Sequence, residues 1–122
     1  MTITPNDMDL ECIKLFKALN KIPGITTFSS CCGHGTNSFD IWFHANGGLG
    51  IIARLVDSRY AGIYPLYWRC ELNVFESEED RHFCFNLTSG DLRGEEAYNQ
   101  ANKIAENVEF LLRNAKRWKL IK

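Results

Sequence analysis

The chain lacks a long apolar run. Nothing in its 122 residues approaches the ~20 consecutive apolar positions of a membrane helix. Its first residues, Met1-Thr2-Ile3-Thr4-Pro5-Asn6-Asp7, lack the basic and apolar blocks of a signal peptide. Net charge is also nearly absent, at −1, so no global field pulls the chain toward nucleic acid. There is no pair of Cys-x-x-Cys motifs, which sets aside the common structural zinc patterns. Internal repeats, linkers and low-complexity segments are missing too. The expectation is one domain over residues 1–122, of a non-membrane, cytoplasmic kind.

What is present is ordinary in bulk and uneven in detail. A hydrophobic share of 45% and a charged share of 24% suit a globular chain with one good core. Eight Phe, four Tyr and three Trp make that core aromatic-rich. Residues 113–122 hold Arg113, Lys116, Arg117, Lys119 and Lys122 without an acid, a stretch that complements a helix C-terminus or contacts phosphate. The five cysteines are odd in number, and Cys31 and Cys32 are neighbours. A disulfide between adjacent residues is a strained ring, so reduced thiols in a cytoplasm are the economical reading.

Local pattern orders the elements. Asn6 or Asp7 can cap a helix carrying Ile13, Phe16 and Leu19, which Pro23-Gly24 ends. Residues 25–31 read as a strand. Phe39, Ile41, Phe43 and Ala45 then alternate with Asp40, Trp42 and His44, a half-buried strand and the return of an antiparallel hairpin. A helix is expected from residue 51 to about residue 60. Residues 67–75 and 81–88 alternate on either side of an acidic turn and make a second hairpin, which Ser89-Gly90-Asp91 breaks. The 3.6-residue period of Ala97, Ala101, Ile104, Ala105, Val108, Leu111, Leu112, Ala115 and Trp118 predicts a long helix over residues 94–120. The predicted class is α+β in the order α-β-β-α-β-β-α. Its antiparallel sheet comes from two hairpins, with the helices on one face.

The chemistry concentrates in one loop, Ser29, Ser30, Cys31, Cys32, Gly33, His34 and Gly35. Hydroxyls, the imidazole and the N–H groups around the glycines can cradle a phosphate or carboxylate. Cys31, Cys32 and His34 are ligand types that zinc accepts, with Cys70, His82 or Cys84 as further donors. A thiol activated by His34 is a third possibility. Gly47, Gly48 and Gly50, between a strand and a helix, form a secondary anion-binding candidate whose bland reading is a tight turn. Trp42, His44, Tyr67 and Arg69 would make a base-stacking platform if the two hairpins lie side by side.

Residues 15–43, with Pro23-Gly24-Ile25-Thr26-Thr27-Phe28-Ser29-Ser30-Cys31-Cys32-Gly33-His34, resemble the start of the wybutosine-synthesis tRNA methyltransferase-like family. Those proteins open with a helix, a Pro-centred turn and a Thr-Thr-Ser-Ser-Cys-Ser-Gly-Arg type motif entering a hairpin. Ser29, Ser30, Cys31 and Gly33 correspond to that motif; Cys32 replaces its usual Ser and His34 its usual Arg. The exchange at His34 removes a permanently charged, forked phosphate donor. The resemblance implies an α+β domain and S-adenosylmethionine-dependent methylation of a modified guanosine in tRNA. The chain also looks like small uncharacterised bacterial and phage proteins with a Cys-Cys-Gly-His signature.

The expected function is an RNA- or nucleotide-related one, with residues 29–35 contacting phosphate and Cys31 packed at the strand end. The alternatives are a binding module, including a homodimer through the exposed aromatic strand face, and a Cys/His metal site. Whether the chain is an enzyme, and which cofactor it takes, stays open at this level.

Overall fold

A computed structural model describes residues 10–31, 38–63, 65–76, 78–115 and 117; the side chains of residues 10–12 and 75 are not described. Eight elements follow one another: α1 (Leu10–Asn20), β1 (Ile25–Cys31), β2 (Ser38–Ala45), α2 (Leu49–Leu55), α3 (Ser58–Ala61), β3 (Arg69–Glu76), β4 (Arg81–Arg93) and α4 (Gly94–Asn114). The strands form one antiparallel sheet in the order β1-β2-β4-β3. The two hairpins therefore lie side by side, joined through β2 and β4. The α+β class, the hairpin-built sheet and the long C-terminal helix are as the pattern predicts.

The helices cover one face of the sheet. Phe39, Ile41 and Phe43 of β2 and Leu87 of β4 have no exposed surface. They pack against Leu15 and Leu19 of α1, Ile51 and Leu55 of α2, and Ala97, Ala101, Ile104 and Val108 of α4. The small alanines let α4 lie close to the sheet. Each large apolar side chain buried here contributes about 1.5–3 kcal/mol. Asn20 ties the end of α1 to β1: its Nδ2 donates to Thr27 Oγ1 at 2.6 Å, and its Oδ1 accepts from Thr27 N at 3.0 Å.

Three local features depart from the simple pattern. The expected single helix over residues 51–60 is two, because Asp57 starts a new one: its carboxylate accepts from Arg59 N at 3.0 Å. Strand β4 does not stop at Ser89 but runs on to Arg93 as a bulge, pairing Thr88 with Asp40 and Arg93 with Ser38. The fully buried Ser89 stitches that bulge, accepting from Phe39 N at 2.8 Å and donating to Leu92 O at 2.7 Å. The long helix ends at Asn114; residue 116, residues 118–122 and the cap sought at Asn6 or Asp7 lie outside the described residues. No helix among the described residues is long and apolar enough to cross a membrane.

Candidate functional site on the open sheet face

Opposite the helices, the second sheet face carries the chain's unexplained chemistry. Alternation along β2 sends Asp40, Trp42 and His44 to this face, because Phe39, Ile41 and Phe43 claim the other. The pairing aligns Trp42 with Ser29 on β1 and Asn86 on β4, and Asn86 in turn with Glu71 on β3. Two residues farther along, Cys84 lies opposite Asn73.

A bulge supplies the aromatic that alternation does not. The β1–β2 register shifts between Thr27 and Ser29, so Phe28 is the extra residue. Thr27 stays buried on the helix side, while the Phe28 ring stacks on His44 with centroids 4.4 Å apart and planes at 21°. The His82 ring lies 4.7 Å from that of His44, tilted by 50°. Phe28, His44 and His82 thus form a row of rings across β1, β2 and β4. His82 Nδ1 lies 2.9 Å from Asp80 Oδ2, which anchors the outer end of the row.

Beside the rings is a cleft of about 360 Å³, lined by Phe28, Ser29, Trp42, Val74, Glu76 and Cys84. Its size is at the lower end of the range for small-molecule sites, about 300–1,000 Å³. Burial raises the Cys84 thiol above its ordinary range, so it stays protonated at neutral pH and is a poor nucleophile. Two carboxamides stand next to it. Asn86 Nδ2 donates to Asp40 Oδ1 at 3.0 Å, and Ser38 Oγ donates to Asp40 Oδ2 at 2.8 Å. The buried Asn86 Oδ1 and Asn73 Nδ2 have no hydrogen-bond partner among the described residues. Buried polar groups left unsatisfied cost about 1–3 kcal/mol; Trp68 Nε1 and Gln100 Oε1, away from this face, are in the same position.

The residues singled out in the sequence divide among several places. Ser29 registers with Trp42 on the open face and Ser30 with Ile41 on the helix side, so the two hydroxyls diverge. Cys31 ends β1 opposite Asp40 and is exposed rather than packed. Cys32, Gly33, His34 and Gly35 lie outside the described residues. Of the four platform residues, Trp42 and His44 come together; Arg69 sits at the far edge, held at 2.7 Å by Glu71, and Tyr67 lines a separate hollow with Pro65 and Leu92. Phe28, His82 and Asn86 join the platform instead.

For metal binding, Cys70 faces the helix side, packed against the core. Cys31 and Cys84 stand four residue steps apart along β4, roughly 13 Å at strand rise. No group of three His, Cys, Asp or Glu side chains among the described residues is placed to hold a metal ion.

Gly47 and Gly48 have a packing role. A Cβ on Gly24 would lie 2.7 Å from Gly47 Cα, and one on Gly48 would lie 2.7 Å from Pro23 O. Both Gly24 and Gly48 adopt positive φ, at 93° and 80°. The turn after α1 and the turn after β2 therefore touch backbone to backbone, and Asn46 N donates to Gly24 O at 2.9 Å. Gly50 lies within α2, a helix of seven residues.

No family model, curated protein or solved structure matches the chain. The likeness to the tRNA methyltransferase family rests on the residues around Ser29 alone.

Proposed function

We propose that this chain binds a nucleobase, as a nucleotide or in RNA, on its open sheet face. The observation that carries this reading is the ring row Phe28–His44–His82 beside Trp42 and the cleft over Cys84. Stacking accepts any base, and each stacked base contributes about 1–3 kcal/mol. Asn86 Oδ1 and Asn73 Nδ2, without partners among the described residues but buried beneath the cleft's lining residues, could serve a base edge as acceptor and donor only if their amides rotate toward it.

Phosphate belongs at the other end of the face. At the ring end both carboxylates already have basic partners, Glu76 the Arg81 guanidinium and Asp80 the His82 ring, which leaves no cation there reserved for phosphate. Cys31, the last described residue of β1, lies two residue steps from the Trp42 row, about 7 Å at strand rise. In this reading Trp42 takes the base, and the phosphate contact is assigned, from sequence alone, to Gly33 and His34, which follow Cys31. Methyl transfer is not part of this reading, although the adenine of an adenosyl compound would stack in the same way.

The test is a fluorescence titration of the tryptophans with nucleosides, nucleoside monophosphates and a short single-stranded RNA. Saturable quenching that Trp42→Phe abolishes and Phe28→Ala weakens is expected. Monophosphates should bind more tightly than nucleosides, and His34→Ala should erase that difference. Amide spectra unchanged at Phe28, Trp42, His44 and Asn86 under millimolar nucleotide would end the proposal.

A second reading, a binding module that pairs with a copy of itself, has its own observation. Leu72, Val74 and Phe83, all on the β3–β4 hairpin, are large apolar side chains left in water.

A further inference from the structure

The two edges of the sheet are built differently. Edge β1 is interrupted by the bulge at Phe28, and its later residues, Ser29 and Ser30, are polar. A bulged, polar edge discourages further strand pairing. Edge β3 has no bulge, although Arg69, Glu71, Asn73 and Glu76 make it partly polar. Its register with β4 is unbroken over eight pairs, from Arg69↔Thr88 to Glu76↔Arg81, and no described strand pairs with its outer side. A regular edge of that length presents unpaired backbone donors and acceptors to a further strand.

Side chains add to the backbone argument. By register Cys70, Leu72 and Val74 of β3 pair with Leu87, Phe85 and Phe83 of β4, Val74 at the hairpin end also bordering the cleft beside Cys84. Near Cys70 and Leu87 the helices cover this row of pairs; farther out they do not. Leu72 is 61%, Val74 54% and Phe83 67% exposed. This is a contiguous apolar patch running up to an open strand edge, where its burial needs a continuation of the same sheet.

We propose that two copies of this chain pair through β3, antiparallel about a two-fold axis at Asn73, making one continuous eight-stranded sheet. Strand self-pairing fits a second copy because the patch is self-complementary under that axis. Leu72 of each copy then faces Val74 of the other, with Phe83 beside Val74 on the neighbouring strand. An axis at Glu71 would set Glu71 against itself, and like charges opposite one another destabilise a sheet. An axis at Val74 would set Leu72 against Glu76. The Asn73 register is the one that places both exposed aliphatic residues of one copy against both of the other. One added strand pair is small beside the ~800 Å² per partner of a standard interface, so a weak, concentration-dependent dimer is expected.

The proposal rests on the self-pairing reading; Val74 also borders the cleft, so Leu72→Lys is the variant that separates pairing from base binding. Its test is sedimentation velocity under reducing conditions, from low-micromolar to several hundred micromolar protein, with hydrogen exchange at both ends of the range. A monomer–dimer equilibrium is expected. Leu72→Lys and Val74→Lys should each weaken it by at least about tenfold. Exchange at β3 amides should slow as concentration rises, while β1 amides stay unchanged. A monomer throughout would end both the self-pairing reading and this surface. A dimer that both lysine variants leave intact, with β3 exchange independent of concentration, would end this surface only. Should a lysine variant fail to fold, the exchange comparison on the unmodified chain decides the matter alone.

Discussion

The two faces of this sheet follow opposite rules. On the helix side, Phe39, Ile41 and Phe43 are fully buried among aliphatic and alanine side chains. On the other side, Trp42 and His44, from the same strand, join Phe28, His82, Asn86 and Cys84, and buried amide atoms lack partners among the described residues. One face spends its side chains on stability and the other holds polar and aromatic groups that packing alone does not require. The difference teaches where to look for function: the face that gathers a row of rings, two carboxamides and a cleft on one surface.

That contrast can be broken or sharpened by substitution. Phe43→Ala should have the largest effect, costing about 3–5 kcal/mol, because it opens a cavity in the dry face; a urea or thermal unfolding curve reads this directly. Ser89→Ala should cost about 1–3 kcal/mol, since it strands Phe39 N in the buried bulge; unfolding should follow the same two-state curve at a lower midpoint. Trp42→Ala, on the open face, should lose about 1–3 kcal/mol of base affinity while moving the unfolding midpoint far less than Phe43→Ala. If Trp42→Ala unfolds the protein as Phe43→Ala does, the two faces are not functionally distinct.

The smallest effect concerns pH. Burial, and secondarily the Glu71 carboxylate, push the Cys70 thiol up to about 11 from its ordinary 9.0. The folded state therefore keeps a proton that the unfolded chain gives up first. Stability is full below pH 9 and declines as pH rises toward 11. Cys70→Ala should flatten the loss of melting temperature across that window. An alkaline slope unchanged by the substitution would show that Cys70 does not carry it.

Much of this architecture is legible in the sequence because binary alternation is strong in β2 and in the second hairpin, and the 3.6-residue period is strong in α4. The departures share one physical cause, an extra residue or cap that shifts the phase. Phe28 hides in a bulge, where strict alternation assigns it no face. Ser89-Gly90-Asp91 carries the composition of a turn, but the Ser89 hydroxyl supplies the hydrogen bonds that let β4 continue. Asp57 splits a helix through a side-chain cap within an otherwise helical stretch. For the site, Trp42 and His44 were readable on one face, whereas the neighbours they meet depend on which hairpin lies beside which. That is a long-range fact no local pattern encodes.

The backbone contact between the turns at Gly24 and at Gly47 and Gly48 has a consequence for how this sequence can drift. Each turn occupies the space a side chain on the other would need, with 2.7 Å left at both Gly24 and Gly48. Neither position can vary unless the opposite turn retreats with it, so the two are a locked pair in mutational space. Gly50, whose nearest would-be neighbour is the flexible Arg54 guanidinium at 3.7 Å, is under no such constraint. A saturation library should therefore be nearly empty at Gly24 and Gly48, well filled at Gly50, and refilled at the locked pair only by variants that have lengthened one turn.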